Sequence, residues 1–503
     1  MSRDRSLRAA LRPSAALLAL LACAACATAR GPAAGPDVGE RIRRVENGLR
    51  TYHEVRGETA PPLSIEERLR FYRVPAVSVA VINDGRIEWA RAWGEAEAGS
   101  GVRVDTTTLF QAASISKPVA AVAALRLVEQ GVLSLDEDVN VKLRSWKVPD
   151  GPHTAAEKVT LRRLLSHSAG TTVHGFPGYA AGAAVPTVVQ VLDGSAPANT
   201  RPVRVDTVPG ALWRYSGGGY TIAQLLMSDV TGKPFAELMR EQVLAPAGMH
   251  RSTYAQPLPA ERAARAATAH RNDGTPIPGK HHTYPEQAAA GLWTTPSDLA
   301  RLAIEVQRAY AGQTGRVITP ATARLMLATQ AGAYGLGFGV NGQADSLWFE
   351  HGGSNAGFQS YFAALAETGQ GLVIMTNGDA GFPLAMEILR AVAREYGLPG
   401  GRPRERDAVA VDAAALAQLA GSYATVETGS RPPFVVELRV EGGMLTASLP
   451  NLGWRGRRLR ASAPDTFFFL ESPGELSFER DASGAVIAAE LRGLGQTVRV
   501  VRR

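Results

Sequence analysis

From Lys117 to Gln130 the chain places Val119, Val122, Leu125, Leu127 and Val128 among alanines, and after Lys117 its charges are Arg126 and Glu129 alone. Apolar residues at helical spacing, on almost every side, describe a helix that is enclosed rather than laid on a surface. Such a helix needs a large domain wrapped around it. The chain has 503 residues, 45% of them hydrophobic, enough for one large domain and a smaller second one.

Ser114 lies three residues before Lys117, at the mouth of that helix. This spacing puts both side chains on one face, and the serine sits where unpaired backbone N–H groups favour negative charge. Lysine takes a proton from serine only if its own pKa falls, and burial beside an apolar helix supplies the means. Taken alone, the pair is equally compatible with a structural coincidence.

The chain opens with Arg3, Arg5, Arg8 and Arg12 before an apolar run from Ala15 to Ala22, too short to cross a bilayer. Residues 1–29 therefore read as an export signal. Leu20-Leu21-Ala22-Cys23 resembles a bacterial lipobox, in which Cys23 is lipidated and attaches the protein to a membrane; Ala25-Cys26-Ala27 keeps plain cleavage open. The expected location is the periplasm, or the cell envelope as a lipoprotein, of a bacterium. With Cys23 and Cys26 the only cysteines, the folded body has no disulfide, thiol nucleophile or cysteine-ligated metal.

A formal charge of +7 and a pI near 9.5 would ordinarily suggest an anionic partner. Lysine occurs only six times, so arginine supplies 48 of the 54 basic residues, and these are dispersed. Apart from the short run Arg455–Arg460 no basic block exists, and nucleic acid is not an expected partner.

Residues 30–60 read as an Ala/Gly/Pro-rich tether and a helix near Val38 to Val55. Ser64 and Glu67 form a capping box for a helix ending before Pro75, and Asn83-Asp84-Gly85 marks a hairpin between Ala76–Ile82 and Arg86–Trp93. Gly- and Pro-rich loops at 170–186 and 194–210 are expected to roof a site. Strands at Trp348–Phe349, Tyr361–Ala366 and Leu372–Thr376 and a helix at Leu384–Tyr396 close a body spanning 61–397. Residues 398–410 read as a linker and 411–503 as a small all-β domain with Phe467, Phe468 and Phe469 on one strand.

Four segments in order carry a resemblance. Phe110–Val119 (FQAASISKPV), Leu164–Gly170 (LLSHSAG), Trp213–Tyr220 (WRYSGGGY) and His351-Gly352-Gly353 resemble the motifs of class C β-lactamases, DD-peptidases and related esterases, from about Ser64 to Tyr396. The resemblance implies a mixed α/β, β-lactamase/transpeptidase-like fold: an antiparallel sheet flanked by helices, with an all-helical subdomain. It also implies that the all-β domain is lipocalin-like. It makes Ser114 the nucleophile, Lys117 its proton acceptor or relay, and Tyr215 the acid or base that serves the leaving group. The oxyanion would be held by the backbone N–H groups of Ser114 and Ser354, with Gly352 and Gly353 letting a substrate approach the strand.

Two departures blur the substrate. Gly217 stands where the tyrosine motif usually has asparagine, and His351 where the third motif usually has a lysine that holds a substrate carboxylate. The expected activity is that of a general peptidase or esterase on small acyl substrates first, a DD-carboxypeptidase second and a β-lactamase last. No cofactor or metal is implied. The alternative is a catalytically idle protein that binds cell-wall peptides. His167 is expected to hold its loop, and His281-His282 to be an exposed pair. Gly352-Gly353-Ser354-Asn355-Ala356 approaches the α/β-hydrolase elbow, but no histidine follows His351, which excludes that fold.

Overall fold

The hairpin comes first in the sheet, and its turn explains itself. Asp84 and Gly85 are the two loop residues between β2 (Ala76–Asn83) and β3 (Arg86–Gly94), with φ of 51° and 66°. Two left-handed residues in succession give the turn whose twist matches antiparallel strands. The computed structural model describes residues 37–399, 401–426, 433–493, 495 and 497–503. The export segment, Cys23 and the start of the tether lie outside the described residues.

Six strands form an antiparallel sheet in the order β3-β2-β9-β8-β7-β6. Here β6 is Gly339–Asn341, β7 Trp348–Asn355, β8 Phe358–Leu365 and β9 Gly371–Thr376. Residues alternate between its faces. Val77, Val79, Val81, Tyr361, Ala363 and Ile374 pack with Ile42 and Val45 of α1 (Val38–Glu46) and with the helix Gly381–Tyr396. Ala80, Ile82, Phe362, Val373 and Met375 face the other core, which holds α3 (Ser116–Glu129) and the helix Pro296–Tyr310. Eleven residues of α3 are buried, from Ser116 to Leu127, so the apolar helix is enclosed.

The N-terminal helix is shorter than the sequence suggests. It stops at Glu46, and Gly48 lies so close to Arg44 that a Cβ there would sit 2.3 Å from its carbonyl oxygen. His53–Val55 instead forms β1, paired in parallel with β10 (Arg404–Arg406). The stretch that reads as a linker is therefore ordered in part.

Beyond it, eight strands from β11 (Gly421–Ala424) to β18 (Val498–Arg502) close a barrel, β11 pairing with both its successor and β18. Tyr423, Leu438, Leu445, Leu459, Phe467, Phe469 and Phe478 pack in its interior, which in an eight-stranded barrel is narrow enough for side chains to fill. Phe468 points outward yet is fully buried, its ring 5.3 Å from that of His53 and beneath the Arg406 guanidinium. The aromatic run serves barrel core and docking face alternately.

The docking face is ionic. Arg68 and Tyr72 of α2 (Ile65–Tyr72) bind the buried Glu387 carboxylate at 2.6–2.7 Å, and Arg68 also approaches Glu471, which Arg458 holds at 2.8 Å. Arg457 caps the Tyr72 ring at 4.3 Å.

Candidate active site

Ser114 lies in a single 3-10 turn, Ala113–Ile115, directly before α3. Ala113 has φ +52°, a conformation that non-glycine residues rarely adopt and that surrounding structure must enforce. The enforcement is visible: Ala112 N–H donates to Leu292 O, Ser116 Oγ donates to Ala113 O and accepts from Leu292 N–H, and Tyr254 donates to Ser116 O.

One helical step on, Lys117 Nζ lies 2.9 Å from Ser114 Oγ and 2.8 Å from Ala289 O. Lys117 is 2% exposed. Burial alone pulls its pKa down to about 7, with no carboxylate among the described residues opposing it. Its Nζ also lies 4.9 Å from the centre of the Tyr215 ring. Burial pushes the Tyr215 phenol up from 10, against a smaller downward pull from a hydrogen bond with Ser114. At neutral pH the trio is thus a serine, a lysine able to lose its proton and a fully protonated phenol.

Tyr215 is held by its two neighbours. Arg214 N–H donates to His167 O at 2.8 Å and Ser216 N–H to His167 Nδ1 at 3.1 Å, while the His167 ring lies 4.2 Å from that of Tyr215. His167 therefore holds more than its own loop: it clamps the tyrosine segment on both sides. The His174 and His351 rings lie 4.9 and 6.1 Å from that of Tyr215, and Trp213 and Tyr334 pack on His167 behind it.

The remaining wall is β7. Register pairs His351 with Phe362 and Gly353 with Ser360, so His351 and Gly353 share the face turned toward the Ala113–Ile115 turn. A Cβ on Gly353 would sit 2.2 Å from Ala112 O and 2.3 Å from Ser360 Oγ. Glycine is required there because the strand backbone abuts the turn. Gly352 faces the opposite side with space to spare, and the exposed Ser354 side chain accepts from Gln359 on that side, leaving only the Ser354 backbone for the site. β6 accompanies β7 only as far as Glu350.

His351 Nδ1 lies 2.6 Å from Gly352 O, and burial and Lys117 push its pKa down to about 3. Gly217 supplies no contact group: a Cβ there would sit 2.9 Å from Phe176 and 3.1 Å from His174 O, so the 170–186 loop fills the position.

Residues 64–395 match the Beta-lactamase family. The chain belongs to that family. This β-lactamase-family protein is a serine hydrolase by that membership. It is 28% identical over 384 residues to penicillin-binding protein 4 of Amycolatopsis lactamdurans, covering 70% of this chain and 93% of the relative. It is 29% identical over 192 residues to esterase EstB of Burkholderia gladioli, covering 37% and 48% respectively. The octameric penicillin-binding protein homologue from Pyrococcus abyssi shares the fold, with TM-score 0.56, 19% identity and coverage of 87% of this chain and 98% of that one.

Several features of this hydrolase are absent from its motifs. Tyr334 carries no signal that would assign it to a site, and Trp213, although it opens the tyrosine motif, carries none that would place it against His167 and Tyr334. Glu286 lies four residues before Ala290, fully buried, with neither carboxylate oxygen partnered and its pKa pushed up to about 7 by burial. His281 and His282 are half-buried rather than an exposed pair: His281 packs on Trp293 and His282 Nδ1 bonds Pro177 O, because the loop carrying them is pinned beneath the 170–186 loop. No group of three or more potential metal ligands exists among the described residues.

Proposed function

We propose that Ser114 forms an acyl-enzyme with small ester or amide substrates, Lys117 acting as its base. The observation that carries this is the 2.9 Å contact between Ser114 Oγ and a buried Lys117 Nζ that has no counter-ion among the described residues and a pKa near 7. Ser114 gives its proton to Lys117 as the Oγ–carbon bond forms. The resulting oxyanion takes hydrogen bonds from the backbone N–H groups of Ser114 and Ser354. The proton then passes from Lys117 to the departing nitrogen or oxygen through Tyr215, whose raised phenol pKa suits a relay better than a standing phenolate. Water cleaves the ester by the same relay in reverse, releasing the acid and restoring the Ser114 hydroxyl.

Esterase EstB and penicillin-binding protein 4 are the kinds of relative expected for such chemistry. Esters and D-amino-acid peptides rank ahead of β-lactams because Gly217 and His351 replace an amide and a cation. The test is labelling of the full chain by a fluorophosphonate and by a fluorescent penicillin, with adduct mapping and Ser114→Ala as control. A Ser114 adduct lost in the variant is expected. A folded protein that takes neither reagent would instead be the peptide-binding protein of the alternative reading.

A further inference from the structure

His351 has a tautomer that its surroundings dictate. A carbonyl oxygen only accepts, so the 2.6 Å contact with Gly352 O places the ring proton on Nδ1. Nε2 then carries a bare lone pair, and it is buried without a partner. A buried acceptor left unmet is unfavourable and marks a position made for a donor.

Among the described residues, the two cations nearest this end of the strand are already engaged. Lys117 is engaged by Ser114 Oγ and Ala289 O. Arg214, the arginine of the tyrosine segment, is turned to Gly170 O, Thr171 O and the Asp206 carboxylate. The rings of His167 and His174 lie against Tyr215, and that of Tyr334 lies near His351. A carboxylate here would meet a lone pair and aromatic walls, and an unpaired buried charge is strongly disfavoured.

The site of attack is close. His351 and Gly353 share one strand face, about 7 Å apart along the strand, and Gly353 abuts the Ala112 carbonyl beside the nucleophile turn. Nε2 is closed off from solvent in the free protein, with the rings of Tyr215 and Tyr334 centred 6.1 and 6.2 Å from the imidazole, so a substrate donor reaches it only if those rings part.

We propose that His351 is a specificity-determining residue that accepts an N–H or O–H from the substrate's uncharged terminus, so that carboxamide-ended peptides and hydroxyl-bearing esters are taken and their free-carboxylate counterparts refused. This rests on the acyl-enzyme reading and names the substrate class within it. The enzyme is then an amidase or endopeptidase-type hydrolase rather than a carboxypeptidase.

The test is a matched pair, acetyl-D-alanyl-D-alanine and its C-terminal carboxamide, with p-nitrophenyl acetate turnover as an independent measure of acylation. The native protein should favour the carboxamide by roughly ten-fold or more in kcat/KM. His351→Lys supplies a cation and should reverse the order. His351→Asn keeps the donation to Gly352 O through its amide but loses the Nε2 acceptor, and should bring the ratio toward unity. If neither peptide is cleaved, the same ratios are expected in their Ki values against p-nitrophenyl acetate turnover. Preference for the carboxylate in the native protein, or a ratio indifferent to both substitutions, overturns the proposal while leaving the acyl-enzyme intact. Absence of both p-nitrophenyl acetate turnover and a Ser114 adduct fails the acyl-enzyme reading itself, and the proposal falls with it.

Discussion

Replacing Lys117 with methionine should abolish acylation and yet make the protein harder to unfold at neutral pH. The side chain is buried and its pKa drops from 10.5 to about 7 on folding. The lowered value means that between pH 7 and 10.5 the unfolded chain binds more protons than the folded one, so stability rises with pH across that window. Below it the penalty is fully present, and at pH 7 it is about 4 kcal/mol. Methionine fills much the same volume without charge, but leaves Ala289 O without its donor, which costs about 1–3 kcal/mol. The net gain at pH 7 is therefore about 1–3 kcal/mol. By pH 9 the penalty on the native protein has halved to about 2 kcal/mol and the advantage vanishes. Thermal midpoints of the two proteins at pH 6, 7 and 9, alongside fluorophosphonate labelling, measure both halves. A methionine variant less stable than the native protein at pH 6 would refute the reasoning, since it would mean that the lysine is not destabilised by its enclosure.

Tyr215→Phe keeps the ring stacked on His167 but loses the hydroxyl, so amide turnover should fall by about 10²- to 10⁴-fold while activated esters, whose leaving groups need no proton, lose less. Gly353→Ala must displace the Ala112 carbonyl or the Ser360 hydroxyl, and should lower the labelling rate of Ser114 by at least about ten-fold with the fold intact by circular dichroism. Glu286→Gln should stabilise at pH 8 and not at pH 4. A carboxyl whose pKa rises from 4.5 to about 7 loses stability as pH climbs through that interval, up to about 3 kcal/mol, and the amide avoids it. Glu471→Ala leaves Arg458 and Arg68 with less countercharge at the docking face and should cost about 3–5 kcal/mol, read as a lower midpoint and faster proteolysis between 398 and 410.

How much of this was legible in the sequence depends on the range of the interactions involved. The Asp84-Gly85 turn, the Ser64 capping box and α3 are fixed by residues within a few positions of one another, and the sequence places them well. The sheet and the terminal barrel follow from alternation and from the ordered motifs. The β1–β10 pairing joins residues some 350 positions apart, and nothing in Arg404–Arg406 announces it. Phe468 shows the same limit: alternation predicts that it leaves the barrel, but not that His53 and Arg406 wait for it. In the candidate site the spacing of Ser114 and Lys117 is visible, whereas Tyr334 and Ala289 reach it only through tertiary structure. His351 is visible as a departure from lysine, but its tautomer follows from a contact with its own neighbouring carbonyl, which appears only in the folded chain.

The cause of the Lys117 shift ties these parts together. A lysine base can be tuned by a neighbouring cation or by dehydration. Here His351 stays neutral, so the first route is closed and burial is left as the one cause. The basicity of Lys117 then depends on whatever keeps water out: the Ala289 segment beneath it and the rings of Tyr215 and Tyr220 beside it. Those rings are in turn fixed by His167, which clamps the Tyr215 segment and packs on Tyr220, and by the Tyr220 hydroxyl bound to Leu165 O. If Ser114 acylates as proposed, a substrate that fits the enclosure is expected to tighten this seal and keep Lys117 able to accept a proton, whereas one that admits water beside it is expected to raise the lysine's pKa and slow its own acylation, a difference that pH profiles of acylation by a close-fitting and a loose ester would show. Selectivity and base strength would then come from the same walls.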